Sequence, residues 1–230
     1  METLCHFQSE CLQFEANRTA AHHAIARSTV AALKDLRLTN WTFYYETSLD
    51  KLPFNFAWAS EEEQQREQDR RPDGVAWNPI LGAVIFLEFT RAMDNPDNMA
   101  AALVRKGAQY DAAVAALQRA QRSREHRHAT AISSVSTAPL IYGVRGTVLI
   151  DEARDSLQQM RLTEPQLRRA LTAGVRAAIS GASEMCTART AALRCLPAKP
   201  RLPNGRTARV HIPQKPFKAG PWRRERGRMW

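Results

Sequence analysis

Apolar positions recur at helical spacing from about Arg18 to Leu36, with Ala24, Ile25, Val30, Ala31 and Leu33 as the expected buried contacts. The next stretch, Trp41 to Leu49 (WTFYYETSL), is rich in aromatic and β-branched residues and predicts a strand. Pro53 to Arg70 begins with aromatics and proline and turns into the polar run Glu61–Asp69, which reads as a long connection with room for a short solvated helix. A short strand, Val75 to Trp77, follows Arg71-Pro72-Asp73-Gly74, and Asn78-Pro79 signals a turn. Ala83 to Thr90 (AVIFLEFT) is a nearly continuous apolar run, the pattern of a strand covered on both faces. These two strands read as an antiparallel hairpin.

Asp94 to Asn98 carries a helix start signal. Met99 to about Arg122 reads as one long Ala-rich helix, with Leu103, Val104, Ala108, Val114 and Leu117 as core candidates. Ser123 to Ser136 is polar and reads as loop. Pro139 to Ile150 (PLIYGVRGTVLI) reads as a strand interrupted by Gly143 and Gly146. A helix is expected from Asp151 to Met160, and a long or broken one from Glu164 to Leu196. This mixed order predicts an α/β protein with a central mixed sheet of about four strands, flanked by helices and followed by a long C-terminal helical region. The pattern divides the chain into a domain over residues 1–196 and a basic Pro/Arg-rich tail over 197–230, extended or disordered.

Charge sharpens this picture. The chain has 33 Lys+Arg against 23 Asp+Glu, a formal net charge of +10, which favours polyanionic partners. No run of about 20 apolar residues suggests a membrane helix, and no signal-peptide pattern opens the chain. Cys5, Cys11, Cys186 and Cys195 form no C-x-x-C pair and no zinc-finger spacing, so free thiols in a reducing, intracellular compartment are expected.

Two acids carry candidate chemistry. Asp73 opens one strand of the hairpin and Glu88 lies near the end of the other, so the two come opposite each other. Paired carboxylates at one sheet end can hold a hard cation such as Mg²⁺ or Mn²⁺ through oxygen ligands. Glu88 interrupts Ile85-Phe86-Leu87-Glu88-Phe89, where an ionised carboxylate costs several kcal/mol without a compensating cation. The alternative is a strand-end glutamate paired with Arg71 or Arg91.

R-P-D-G (Arg71–Gly74) followed by L-E-F-T (Leu87–Thr90) resembles the signature of the PD-(D/E)xK restriction-endonuclease-like superfamily. Thr90 stands where most members carry a lysine. The restriction-like endonuclease domain of site-specific non-LTR retrotransposons resembles the chain more closely. That domain has the same acid-x-Thr departure and a helix with K-x-x-x-Y, matched here by Lys106 and Tyr110. It also has a P-x-x-x-G-x-R-G strand, matched by Pro139–Gly146. The likeness covers roughly residues 40–196. It implies a restriction-endonuclease-like core and a divalent-metal-dependent DNA endonuclease. Asp73 and Glu88 are then the Mg²⁺ or Mn²⁺ ligands, Lys106 a migrated catalytic lysine, and Tyr110 a partner of the scissile phosphate or of the lysine. Double-strand cutting implies either a homodimer or two sequential nicks, and the retrotransposon likeness implies association with a reverse transcriptase; the DNA reading and the basic tail together favour a nuclear or otherwise intracellular location.

Arg71 and Arg91 flank the acids, and Arg145 sits between two glycines. All three are candidate phosphate contacts, with charge neutralisation of the acids and turn geometry as their plainer readings. Glu46 reads as a strand residue that is either a further metal ligand or solvent-facing. His22 and His23 read as ordinary surface-helix residues, and His126 and His128 carry no ligand spacing. In the tail, Arg223 and Arg224 beside Trp222, with Trp230 beyond, combine phosphate contacts with stacking aromatics. A non-catalytic nucleic-acid-binding protein and a mobile-element remnant stand as alternatives on the same fold.

Overall fold

The computed structural model describes residues 14–122 and 132–194. Two compact units divide between Arg189 and Thr190, and the sheet and the helical residues up to Arg189 belong to the first. In chain order the elements are α1 (Glu15–Asp35), β1 (Thr42–Tyr45), α2 (Glu61–Glu67), β2 (Gly74–Asn78), β3 (Ala83–Ala92), α3 (Pro96–Gly107), α4 (Asp111–Arg122), β4 (Ser134–Gly143), α5 (Ile150–Ser156) and α6 (Glu164–Arg194). Single 3₁₀ turns lie at Leu49–Lys51 and Gln158–Met160. The strands form one open sheet in the order β1-β2-β3-β4. Its first three strands are antiparallel and β4 runs parallel to β3. The protein is therefore α/β, with a four-stranded mixed sheet flanked by helices, as the hydrophobic pattern predicts.

β3 explains why the sheet is central. Its side chains alternate between faces. Ile85, Leu87 and Phe89 pack with Ile25, Val30 and Leu33 of α1 and with Leu167, Ala170 and Leu171 of α6. Val84 and Phe86 pack on the other face with Tyr110, Ala113 and Leu117. Each of these large side chains, removed from water, contributes about 1.5–3 kcal/mol. The hairpin between β2 and β3 closes through Asn78, whose side-chain oxygen accepts hydrogen bonds from the backbone N–H groups of Ile80 and Leu81. Gly174 lets α6 approach Tyr142 so closely that a Cβ there would collide with the ring.

Several elements differ from the sequence expectation. The first strand ends at Tyr45, which pairs with Gly74, the first residue of β2. Beyond it no partner strand remains, and Glu46 turns out of the sheet at φ 45°. The helix expected over 99–122 is two helices. Gly107, a poor helix former, ends α3, and Tyr110 then turns inward against Phe86, 5.5 Å between ring centroids. Lys106 and Tyr110 thus do not share one continuous helix. Val104 is 74% exposed, and Ala108 is also exposed rather than core. β4 starts earlier than expected, at Ser134, and pairs with β3 from Ala83↔Ser134 to Ala92↔Gly143. The Gly143–Thr147 segment is a turn closed by the Gly143 N–H on the Thr147 carbonyl, with Gly146 at φ 94°. In α1, Ala31 is exposed, while Ala21, Ala26 and Thr29 join the buried face. The tail from residue 197, His126 and His128, and Cys5, Cys11 and Cys195 lie outside the described residues.

Candidate active site

The hairpin register sets the site. Gly74 pairs with Leu87, so Asp73 and Glu88 meet one step further along. They are linked reciprocally: the Asp73 N–H donates to Glu88 Oε1 at 3.3 Å, and the Phe89 N–H donates to Asp73 Oδ2 at 2.8 Å. By strand alternation Glu88 belongs to the Val84–Phe86 face, and its residue exposure is 0%. The cation that compensates it comes from the last turn of α3. Lys106 Nζ donates to Glu88 Oε2 at 2.7 Å and lies 3.8 Å from Asp73 Oδ2. From the opposite side of the sheet, α1 delivers His22, whose Nε2 lies 3.0 Å from Asp73 Oδ1. One helix on each face and one hairpin therefore converge on two carboxylates.

These neighbours drive the two carboxyls apart. Burial works to raise Asp73, but the His22 contact, the Lys106 charge and the Phe89 N–H outweigh it and hold the carboxyl below its ordinary range. Burial and the adjacent Asp73 charge raise Glu88, and Lys106 offsets this only in part. Two carboxyl groups therefore face one ammonium and one imidazole. Among the described residues no three His, Cys, Asp or Glu side chains form a ready-made metal cage. Two hard carboxylates nonetheless fit a hydrated Mg²⁺, which takes one or two protein carboxylates and fills its remaining positions with water and substrate oxygens.

The other expected site residues divide. Tyr110 is buried, stacked on Phe86, with the Arg70 guanidinium carbon 4.8 Å from its ring centroid. Burial and the nearby Glu88 charge push its phenol well above the ordinary value. This ring is a floor under Arg70 rather than a group open to a phosphate. Arg71 is exposed, two residues before Asp73. Arg91 points to the other face, where Nη2 donates to Met185 Sδ at 3.4 Å, and burial together with Arg18 lowers its pKa to about 10. It does not pair with either site acid in the way the flanking position suggested. Arg145 is exposed in the turn after β4, and its backbone N–H donates to Asp94 Oδ2 at 2.9 Å. Arg223 and Arg224 lie outside the described residues.

Sequence reasoning missed His22 and His23. Read on α1 alone they are surface residues, but the fold gives both a carboxylate partner. His23 Nδ1 contacts Glu46 Oε1, to which the Tyr45 hydroxyl also donates at 3.1 Å. The only signal available was their adjacency on an otherwise Ala-rich helix, and their partners lie too far along the chain for spacing to reveal. No protein-family model matches the chain, and the curated proteins contain no match to it. Among the described residues no helix is long and apolar enough to cross a membrane.

Proposed function

We propose that the protein is a divalent-metal-dependent endonuclease with a restriction-endonuclease-like core, acting on DNA phosphodiesters. One observation carries this reading: Lys106 reaches from a separate helix to the paired carboxylates of a β-hairpin, where Thr90 of the strand offers no ammonium. Asp73 and Glu88 would hold Mg²⁺ or Mn²⁺, which would supply Lewis acidity toward a phosphoryl oxygen and an activated water. The chain's own groups then have separate tasks. Lys106 sets a positive charge beside both acids, suited to negative charge developing on a phosphate. The Phe89 N–H and His22 fix the two oxygens of Asp73, and preorganised ligands lose less freedom on binding. Arg71 offers an exposed guanidinium for a flanking phosphate. The test is nicking of supercoiled plasmid with and without Mg²⁺ or Mn²⁺. Asp73→Ala is expected to abolish metal-dependent nicking and Lys106→Ala to reduce it at least about 100-fold. Nicking that survives Asp73→Ala overturns the assignment.

A second reading, nucleic-acid binding without cleavage, has one observation in its favour. Both Glu88 oxygens already hold partners within the protein, Lys106 and the Asp73 N–H. It predicts salt-sensitive plasmid retention with no metal-dependent nicking.

A further inference from the structure

The same sheet face carries a second feature that the hydrolytic site does not use. Between the 3₁₀ turn at Leu49–Lys51 and α2, the segment Phe54-Asn55-Phe56-Ala57-Trp58 places aromatic rings at the surface. Phe56 and Trp58 are stacked, 5.0 Å between centroids and 9° between planes, and both are only half-buried. Phe54 anchors them edge-on, 5.3 Å from Trp77 and 6.4 Å from Phe56. The segment is pinned to α4. The Ala57 N–H donates to the Ala116 carbonyl at 3.2 Å, and Arg119 Nε donates to the Ala57 carbonyl at 2.8 Å. Arg119 also binds Glu63 at 2.9 Å, and Glu63 in turn accepts from the Ala59 N–H. A loop held this firmly, with two half-buried stacked rings, is a rigid platform rather than a loose connection.

Beside the rings lies a cavity of about 310 Å³, lined by Phe54, Phe56 and Trp58 and by the polar side chains of Asp50, Asn55, Gln64 and Gln68. That volume lies at the low end of small-ligand pockets, roughly 300–1,000 Å³, enough for one planar group and too small for a duplex. Amide and carboxylate groups beside an aromatic face match a nucleobase, whose ring stacks and whose edge both donates and accepts. The cavity is also close to the hydrolytic site along the chain. Gln68 precedes Asp73 by five residues, a span of no more than about 17 Å even if fully extended. The exposed Arg71 lies within that stretch. A strand whose phosphate occupied the carboxylate site would have bases within reach of the platform.

We propose that Phe56, Trp58 and the adjoining cavity bind one unpaired nucleobase of the nucleic-acid strand presented to Asp73 and Glu88, which makes single-stranded or locally opened nucleic acid the preferred substrate. The ligand class rests on the nuclease reading. The test uses the full chain in metal-free buffer with a 5-bromodeoxyuridine-substituted 12-nucleotide single strand, photocrosslinked and mapped by mass spectrometry. Adducts are expected on Phe56 or Trp58. Adducts found only elsewhere, including the tail tryptophans, overturn the proposal. The double variant Asn55→Ala/Gln64→Ala changes two exposed side chains and leaves the rings in place. It is expected to weaken single-strand binding by about 5- to 20-fold, while Trp58→Leu weakens it by roughly 5- to 100-fold, the range of a lost base stack. Both are expected to leave duplex affinity unchanged, and an equal loss for duplex and single strand overturns the proposal. Plasmid nicking, assayed separately with Mg²⁺, tells the two readings apart. Crosslinking at the platform without nicking removes the nuclease and keeps the base site. Nicking without crosslinking there removes the base site and keeps the nuclease.

Discussion

Glu67 and Glu88 are both buried, and their surroundings push them in opposite directions. Glu67, in the last turn of α2, receives Arg66 Nε at 2.9 Å and Arg70 Nη1 at 2.6 Å. Burial works against its charge, but the two guanidiniums outweigh burial and lower its pKa. Glu88 shares one ammonium with a second carboxylate, and burial and Asp73 raise it. The first cluster has more positive than negative charge and is complete in itself. The second sets two carboxyl groups against one ammonium, with the His22 imidazole 3.0 Å from Asp73. Burial of an acid therefore does not mark a site; an unbalanced neighbourhood does.

Removing the cation of the Glu88 cluster and the acid of the Glu67 cluster gives the largest expected contrast. Lys106→Met leaves the buried Glu88 and the half-buried Asp73 without their ammonium and is expected to cost about 3–5 kcal/mol of stability in denaturant titrations without divalent metal. The double variant Lys106→Met/Glu88→Gln removes the stranded charge and should recover most of that loss. A single variant as stable as the parent would show that the ammonium does not hold the acids. Glu67→Gln is expected to cost less, about 1 kcal/mol, because Arg66 and Arg70 can turn to water. It should leave plasmid nicking unchanged.

pH separates the two clusters by sign. Glu67 is lowered, so its contribution is present above the ordinary carboxylate value of 4.5 and is lost as pH falls through its depressed value. Glu88 is raised, so the folded protein holds that proton more firmly than the unfolded chain. Its contribution favours folding below pH 4.5 and is lost as pH rises through the raised value. Thermal melts across pH 3–8 should therefore show Glu88→Gln gaining relative to the parent as pH rises and Glu67→Gln losing. Parallel curves for the two variants would erase the distinction. The smallest effect is expected at Tyr110→Phe, which keeps the stack on Phe86 and the face under Arg70. Stability within about 0.5 kcal/mol of the parent and nicking within a few-fold are expected, and a large loss of nicking would bring the hydroxyl into the site.

The hairpin was legible because its signals are local. An apolar run interrupted by one glutamate, a turn at Asn78-Pro79 and an aspartate ahead of β2 together place Asp73 opposite Glu88 within a short stretch of chain. The helix break at Ala108–Tyr110 was not legible. Alanine-rich sequence on both sides of Gly107 supports one continuous helix, and only the slot beside Phe86 and Arg70 makes turning Tyr110 inward worthwhile. The start of β4 at Ser134 was hidden for a similar reason. Ser134-Val135-Ser136-Thr137 is weakly apolar and becomes a strand by pairing with β3.

By itself the sequence determined the alternation that buries β3 on both faces, the pairing of two acids at one sheet end and a lysine some distance downstream. Tertiary structure decided which cations meet those acids. α3 and α1 lie on opposite faces of the sheet, and their packing brings Lys106 to Glu88 and His22 to Asp73 across sequence separations over which no periodic pattern operates. Local propensity acts over a few residues; the balance of charge around a buried carboxylate is set by whatever the packed core places beside it.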